Sequence, residues 1–287
     1  MYKSLPDRLT RHITAEEIAA YEENGAHVLR GVLPMDWIEV MRDAVERILT
    51  NPGSASLEYT PEGKKGRYYG DFFIWRRDPD FQAFMAESPM PELAAQVMDA
   101  KCLNFFYDQL LVKEPNTEEP TPWHQDLSYW PVRGNQVISI WVPFDPANEE
   151  SGVVVYVKGS HKWGKLYAPS TFGDKSGFAD IYAKAGLEPL PDIEAERDQH
   201  EILSWEMEPG DVLIHHPLTL HYASGNKSTT GRRRGLALRY VGDDAVFDGR
   251  PGTFLDNKKV MDTVPAITLK DGDHFSGELF PSVWPRG

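Results

Sequence analysis

From about residue 101 to residue 245 the chain is written in short β-type runs, and this texture constrains its fold more than any other feature. The runs fall at residues 103–113, 136–142, 153–158, 201–207, 211–215, 218–222 and 233–241. Turn sequences such as Glu208-Pro209-Gly210-Asp211 and Lys158-Gly159-Ser160-His161 separate them. Runs of this length, rich in β-branched and aromatic residues and punctuated by Gly and Pro, pair as antiparallel strands. A succession of them packs as a sandwich or barrel.

The first hundred residues read differently. Thr14 with Glu17 three positions later forms a capping box that opens a short helix, and Gly25 closes it before a strand over 26–32. From Pro34 onward Trp37, Val40, Met41, Ala44, Val45 and Ile48 recur at helical spacing, which predicts an amphipathic helix with one buried face. A polar loop over 51–66 leads to an aromatic strand over 67–75, then to helices over 78–87 and 91–99. The expectation is a single domain spanning 1–287: a helical N-terminal part to about residue 100, a mainly β core over about 101–245, and an extension over 246–287. Residues 164–200 lack periodicity and carry several Gly and Pro; an insert of that length in a compact domain reads as a lid or binding loop.

Composition excludes several functions. With 41% hydrophobic residues, 8 Trp, 12 Tyr and 13 Phe in 287 residues, the chain can bury a large core. Against 44 Asp and Glu stand 30 Lys and Arg, a net charge of -14. Such a surface repels phosphate backbones and anionic membranes, so neither nucleic acid nor a membrane is the expected partner, and a small molecule is. The single Cys102 forms no intrachain disulfide, which fits a reducing, cytoplasmic setting. The opening residues lack a signal-peptide apolar run, and no stretch approaches the ~18 apolar residues of a membrane span. The ending Pro285-Arg286-Gly287 does not read as a peroxisomal address.

The chemistry centres on His124 and Asp126. In extended backbone, side chains two apart point the same way, so these two can reach one ion while Gln125 turns aside. A distant histidine would complete two imidazoles and one carboxylate, the set that holds non-haem Fe(II) with open coordination positions. His215, His216 and His221 compete for that place. At most one of the adjacent pair faces a cavity, and Pro217 marks a bend after them. His221 is therefore favoured, with His216 left as a supporting or turn residue. His12, His27, His161, His200 and His274 have no partner in the pattern and read as structural.

An iron with open positions needs a co-substrate, and a 2-oxo acid suits it when a fixed cation anchors the distal carboxylate. Arginine does this with its planar fork. Among Arg232, Arg233 and Arg234, parity favours Arg233, because it shares a face with the small Gly235 and Ala237, while Leu236 and Leu238 take the packed side. Arg232 is the fallback. Tyr69, Phe72, Trp75, Trp123, Tyr129 and Trp130 are candidates to wall a substrate pocket, and Arg76, Arg77 and Arg133 to pair with an anionic substrate.

Three stretches, TPWHQDLSYWPVRG, QVISIWVPFDPANEESGVVVYVKGSH and EPGDVLIHHPLTLHYASGN with the arginine strand after it, resemble the phytanoyl-CoA dioxygenase family of Fe(II)- and 2-oxoglutarate-dependent oxygenases. The matching motifs run from about 103 to 241. The resemblance implies a double-stranded β-helix (jelly roll), iron held by His124, Asp126 and His221, and 2-oxoglutarate anchored by Arg233. It also implies contacts to the co-substrate from the positions of Gln109 and Trp141. The loop after the distal histidine usually reads His-Gly-Ser; here it is His221-Tyr222-Ala223-Ser224, so the serine contact, if made by Ser224, is displaced by one residue.

The implied reaction couples 2-oxoglutarate and O2 to C–H oxidation, releasing succinate and CO2. Related halogenases lack the carboxylate ligand, so the presence of Asp126 implies oxygen transfer, with desaturation or cyclisation as other outcomes of the same centre and an acyl-CoA as another substrate. Two rival readings are a non-catalytic metal-binding jelly roll and a hydrolytic zinc enzyme, which also uses two histidines and a carboxylate. Neither gives a carboxylate-anchoring arginine a task.

Overall fold

The computed structural model describes residues 5–168 and 186–286. Residues 169–185, nearly half of the segment read as a lid, therefore lie outside the described residues. Every pairing between its named strands is antiparallel, and all but a separate two-stranded pair belong to two facing sheets. The larger contains β1 (Ala26–Leu29), β10 (Val212–His215), β7 (Val137–Pro143), β12 (Arg233–Val241), β4 (Leu103–Lys113), β3 (Tyr68–Phe72) and β2 (Leu57–Glu58) in that order, with β14 (Ser282–Trp284) also paired to β4. The smaller runs β5 (Thr121–His124), β11 (His221–Ala223), β8 (Val154–Val157) and β9 (Ile202–Ser204). This is an antiparallel sandwich of the kind the β texture called for, and the jelly roll that the resemblance implied.

Period-two alternation in the large sheet sorts side chains between two cores. Leu236, Leu238 and Tyr240 on β12, with Leu110 and Val112 on β4, point outward and pack under the helices. Those are α1 (Ala15–Asn24), α2 (Met35–Thr50), α3 (Pro79–Glu87) and α4 (Met90–Met98). Helix α1 starts at the reciprocal Thr14–Glu17 capping box and ends at Gly25 with φ +80, where a residue with a β-carbon would be strained. Helix α2 buries Trp37, Ile38, Met41, Ala44, Val45 and Ile48; Ile38 is on the buried face and Val40 is only half-buried. Each large apolar side chain so removed from water contributes about 1.5–3 kcal/mol. The alternate residues face inward, between the sheets, and there polar groups gather.

Residues 246–286 are woven into the body. β13 (Val246–Phe247) pairs with β6 (Val132–Arg133), β14 joins the large sheet, and a short helix α5 (Lys258–Met261) lies between them. Phe247, Phe254, Val260, Phe275 and Phe280 pack on Phe106, Tyr107, Tyr129 and Trp130. That places an aromatic wall at one end of the gap between the sheets.

Candidate metal centre

The small sheet brings the two histidines together. His221 on β11 lies opposite His124 on β5 in register, and their ring centroids are 4.0 Å apart. Gln125 is extended (φ -109, ψ 132), so Asp126, at the start of a 3-10 turn over Asp126–Tyr129, returns to the side of His124. Gln125 does turn away. Its side chain donates to the Lys165 and Leu218 carbonyls and accepts from the Tyr167 amide at 2.9 Å, tying down the segment after β8. One ligand atom from each of His124, Asp126 and His221 lies within 4.8 Å of the others, and all three residues are buried.

Neighbouring groups set the chemical state of each donor. The Nδ1 of His124 lies 2.7 Å from the Pro122 carbonyl and that of His221 2.9 Å from the Thr219 carbonyl. A carbonyl only accepts, so each ring carries its proton on Nδ1 and presents a bare Nε2. Oδ1 of Asp126 faces those nitrogens at 3.6 and 4.0 Å. Oδ2 is held from behind by Nε2 of His215 at 3.1 Å, with Arg239 4.0 Å away. The Tyr156 hydroxyl lies 3.1 Å from the other nitrogen of His215. Burial alone would push the Asp126 carboxyl up; the charge of Arg239, the adjacent His124 and the bond from His215 outweigh it and hold the group well below the usual carboxylate range. Burial, then the nearby His124 and His215, pushes His221 well below the usual histidine value. Neutral imidazoles and an ionised carboxylate are the states a divalent ion requires.

The centre opens into a cavity of about 570 Å³ lined from both sheets. Arg233 lies at its wall, 1% exposed, its guanidinium 5.5 Å from the Trp141 ring. Gly235 makes that approach possible, since a β-carbon there would sit 2.4 Å from the indole. No carboxylate pairs with Arg233 among the described residues, and its Nε lacks a hydrogen-bond partner; burial lowers its pKa. Lys113, also fully buried, donates to the Ser224 carbonyl at 2.6 Å, and its pKa is pushed well down by burial and then by Arg233. Among the described residues no carboxylate forms an ion pair with either cation.

Other sequence expectations sort clearly. Arg232 faces outward and pairs with Glu46 and Glu114. Gln109 and Trp141 line the cavity; Ser224 does not, its hydroxyl turning to the Gly225 carbonyl while Ala223 takes the wall position. Of the adjacent histidines it is His215, not His216, that supports the centre. His216 caps the following turn, accepting from the Leu218 amide at 3.2 Å. Phe72, Tyr129 and Trp130 do wall the cavity, whereas Tyr69 and Trp75 pack under the helices and Trp123 packs on Tyr222 and donates to Glu194. Arg76, Arg77 and Arg133 are taken by Glu278, Asp71, and Asp248 with Asp271. Sequence reading missed Arg239, Ser139 and Tyr156, all in the cavity wall. The signal for Arg239 was present, because the parity that selected Arg233 continues to 239.

A profile of the phytanoyl-CoA dioxygenase family (PhyH) matches residues 21–235. The chain belongs to this family. It is thus an iron- and 2-oxoglutarate-dependent dioxygenase, and the donor set described above fits Fe(II). Among curated relatives, the peroxisomal phytanoyl-CoA dioxygenase of Bos taurus is 25% identical over 287 residues, covering 93% of this chain and 82% of its own. Two solved structures share the fold. The alpha ketoglutarate dependent epimerase SnoN from nogalamycin biosynthesis matches with a TM-score of 0.72 at 19% identity, covering 95% of this chain and 96% of its own. The carbocyclase SnoK from the same biosynthesis gives 0.70 at 22%, covering 94% and 96%. No helix among the described residues of this PhyH-family chain is long and apolar enough to cross a membrane.

Proposed function

We propose that this protein hydroxylates a C–H bond of a small metabolite in the cytoplasm, as a single oxygenase domain. The reading assigns His124, Asp126 and His221 to the metal, Arg233 to the distal carboxylate of 2-oxoglutarate, and Gln109 and Trp141 to contacts with the co-substrate. The observation that carries it is a buried two-histidine, one-carboxylate set in the same cavity as a buried, unpaired arginine. With iron and 2-oxoglutarate bound, the centre supplies the oxidising power to cleave a substrate C–H bond with O2, releasing succinate and CO2.

The residues themselves bind and orient. Backbone carbonyls fix the histidine rings, and His215 and Arg239 on Oδ2 leave Oδ1 of Asp126 for the ion. Phe72, Phe73, Tyr107, Tyr129, Trp130 and Phe254 exclude water from the approach. A large acyl-CoA suits this mouth poorly: Arg76, Arg77 and Arg133 are paired away from it, and of the two lysines that line it Lys258 is shared with Asp262 and Lys259 donates to the Ser56 carbonyl. The test is a metabolite screen read by succinate formation and O2 uptake. The reading requires substrate-dependent succinate with Fe(II) and none with Zn(II). Hydrolysis with Zn(II), or metal binding without turnover across the screen, would instead favour the zinc enzyme or the binding protein.

A further inference from the structure

Strand β12 buries Arg233, Arg234 and Arg239, and they differ in what answers their charge. Arg234 points outward and pairs with Asp145 at 2.7 Å. Arg233 is answered by the co-substrate in the reading above. Arg239 is 3% exposed and lines the cavity beside the metal carboxylate. Its Nη2 donates to the Gln109 side-chain oxygen at 2.8 Å, and its guanidinium lies 4.6 Å from the Tyr107 ring and 5.6 Å from that of Trp130. Its Nη1 donates to the Ala237 carbonyl at 3.4 Å, and its Nε has no hydrogen-bond partner among the described residues. The one carboxylate within ion-pair reach among the described residues is Asp126, at 4.0 Å, and a bound ion claims that charge.

Directly opposite Arg239 on β7 stands Ser139. It is fully buried and lines the same cavity, and its hydroxyl has no partner among the described residues. Two unpartnered donors on neighbouring strands, one of them a cation, form a built acceptor site. Buried donors and charges of this kind persist when a ligand completes them. The aromatic rings of Tyr107, Tyr129 and Trp130 lie on the approach, which suits a flat or apolar body behind the anionic group.

We propose that Arg239, with Ser139 beside it, is a second carboxylate-binding site of the cavity, separate from the Arg233 anchor. The inference rests on the oxygenase reading for the role of Arg233. The carboxylate has two possible sources: an aromatic or alicyclic acid as substrate, or the end of 2-oxoglutarate that Arg233 does not hold. The site recognises the same chemistry in both cases, a planar two-oxygen anion matched to the guanidinium fork.

The test uses the full chain loaded anaerobically with Fe(II), titrated calorimetrically with 2-oxoglutarate, and then, with 2-oxoglutarate bound, with phenylacetate or its neutral match phenylacetamide. If the substrate is the source, the parental protein binds the acid at least about tenfold more tightly than the amide. Arg239→Gln then removes that preference and shifts 2-oxoglutarate affinity by well under tenfold, the residual shift coming from its contacts to Gln109 and Asp126. If the co-substrate is the source, Arg239→Gln weakens 2-oxoglutarate about tenfold or more. The proposal is overturned when neither quantity responds to Arg239→Gln, including the case in which only Fe(II) affinity changes and Arg239 merely steadies Asp126. Arg239→Lys, which keeps the charge and loses the fork, provides the second variant should the glutamine fail to fold, and the same two readouts apply to it. Failure of 2-oxoglutarate to bind the Fe(II)-loaded parental protein strikes the oxygenase reading itself, whereas the acid-over-amide comparison still judges the Arg239 site.

Discussion

The metal end of the cavity and its anion-binding walls are built in opposite ways. At the metal end the supporting atoms are occupied: both Nδ1 atoms meet carbonyls, and Oδ2 of Asp126 meets His215, which in turn meets Tyr156. At the walls proposed to bind anions the side-chain donors Arg233 Nε, Arg239 Nε and Ser139 Oγ have no partner among the described residues. A metal ion needs ligands already in the right protonation state and direction, so the fold completes their hydrogen bonds in advance. A charged ligand brings its own counter-charge, so the fold leaves that half of the pair open. Damage at the first end should abolish function, while damage at the second should weaken one ligand.

The largest effect tests that contrast bluntly. Asp126→Ala should reduce substrate-dependent succinate formation to background, because one of three metal ligands vanishes; activity near the parental level would remove Asp126 from the centre. Next comes a pH effect that separates the two adjacent histidines. Burial, then the charges of His161 and His215, lowers His216 to about 4 from its ordinary 6.5. The unfolded chain therefore binds more protons between those values. Stability from this group is fully present above pH 6.5 and lost as pH falls toward 4, on the order of 3 kcal/mol at most. His216→Gln should flatten that part of a urea-midpoint profile, and parallel profiles for parent and variant would contradict the assignment.

Arg233→Ala should raise the dissociation constant of 2-oxoglutarate by the value of one charge-assisted pair, about 1.5–3 kcal/mol or roughly 10- to 150-fold. Titration of the Fe(II)-loaded protein measures it. His215→Phe should weaken Fe(II) binding about 10- to 100-fold by freeing Oδ2 of Asp126, with 2-oxoglutarate affinity at saturating metal little changed; the reverse pattern would move His215 to the anion side. Arg232→Ala should be silent in both titrations, since its partners Glu46 and Glu114 lie on the outer face. A loss there with Arg233→Ala unaffected would mean that the faces of β12 are interchanged.

Sequence was most legible where periodicity runs long. Strand β12 occupies the predicted 233–241, and its parity divides Leu236 and Leu238 from Arg233 and Ala237 as expected. The Thr14–Glu17 box is legible because capping is local chemistry. Strand β5 was anticipated only as extended chain at His124, since Pro120 and Pro122 disguise its first residues as a loop, and β13 and β14 are too short to show a period. The run predicted over 218–222 contains a turn first, so His221 opens β11 where a strand end was expected. His215 and His216 could not be told apart because the choice depends on where β10 ends against β7, and pairing register is a tertiary property. Aromatic residues were sorted poorly for a related reason: alternation along β3 sends Tyr68 and Phe72 to the cavity and Tyr69 to the helices, and composition carries no such sign.

The central claim is that one cavity holds Fe(II) on His124, Asp126 and His221 and a dicarboxylate on Arg233. The most direct measurement is the visible spectrum of the anaerobic protein as Fe(II) and then 2-oxoglutarate are added. The account predicts a weak charge-transfer band that appears only with the second addition, is absent in Asp126→Ala and requires more 2-oxoglutarate in Arg233→Ala. A parental protein that binds Fe(II) yet shows no band at saturating 2-oxoglutarate would contradict it.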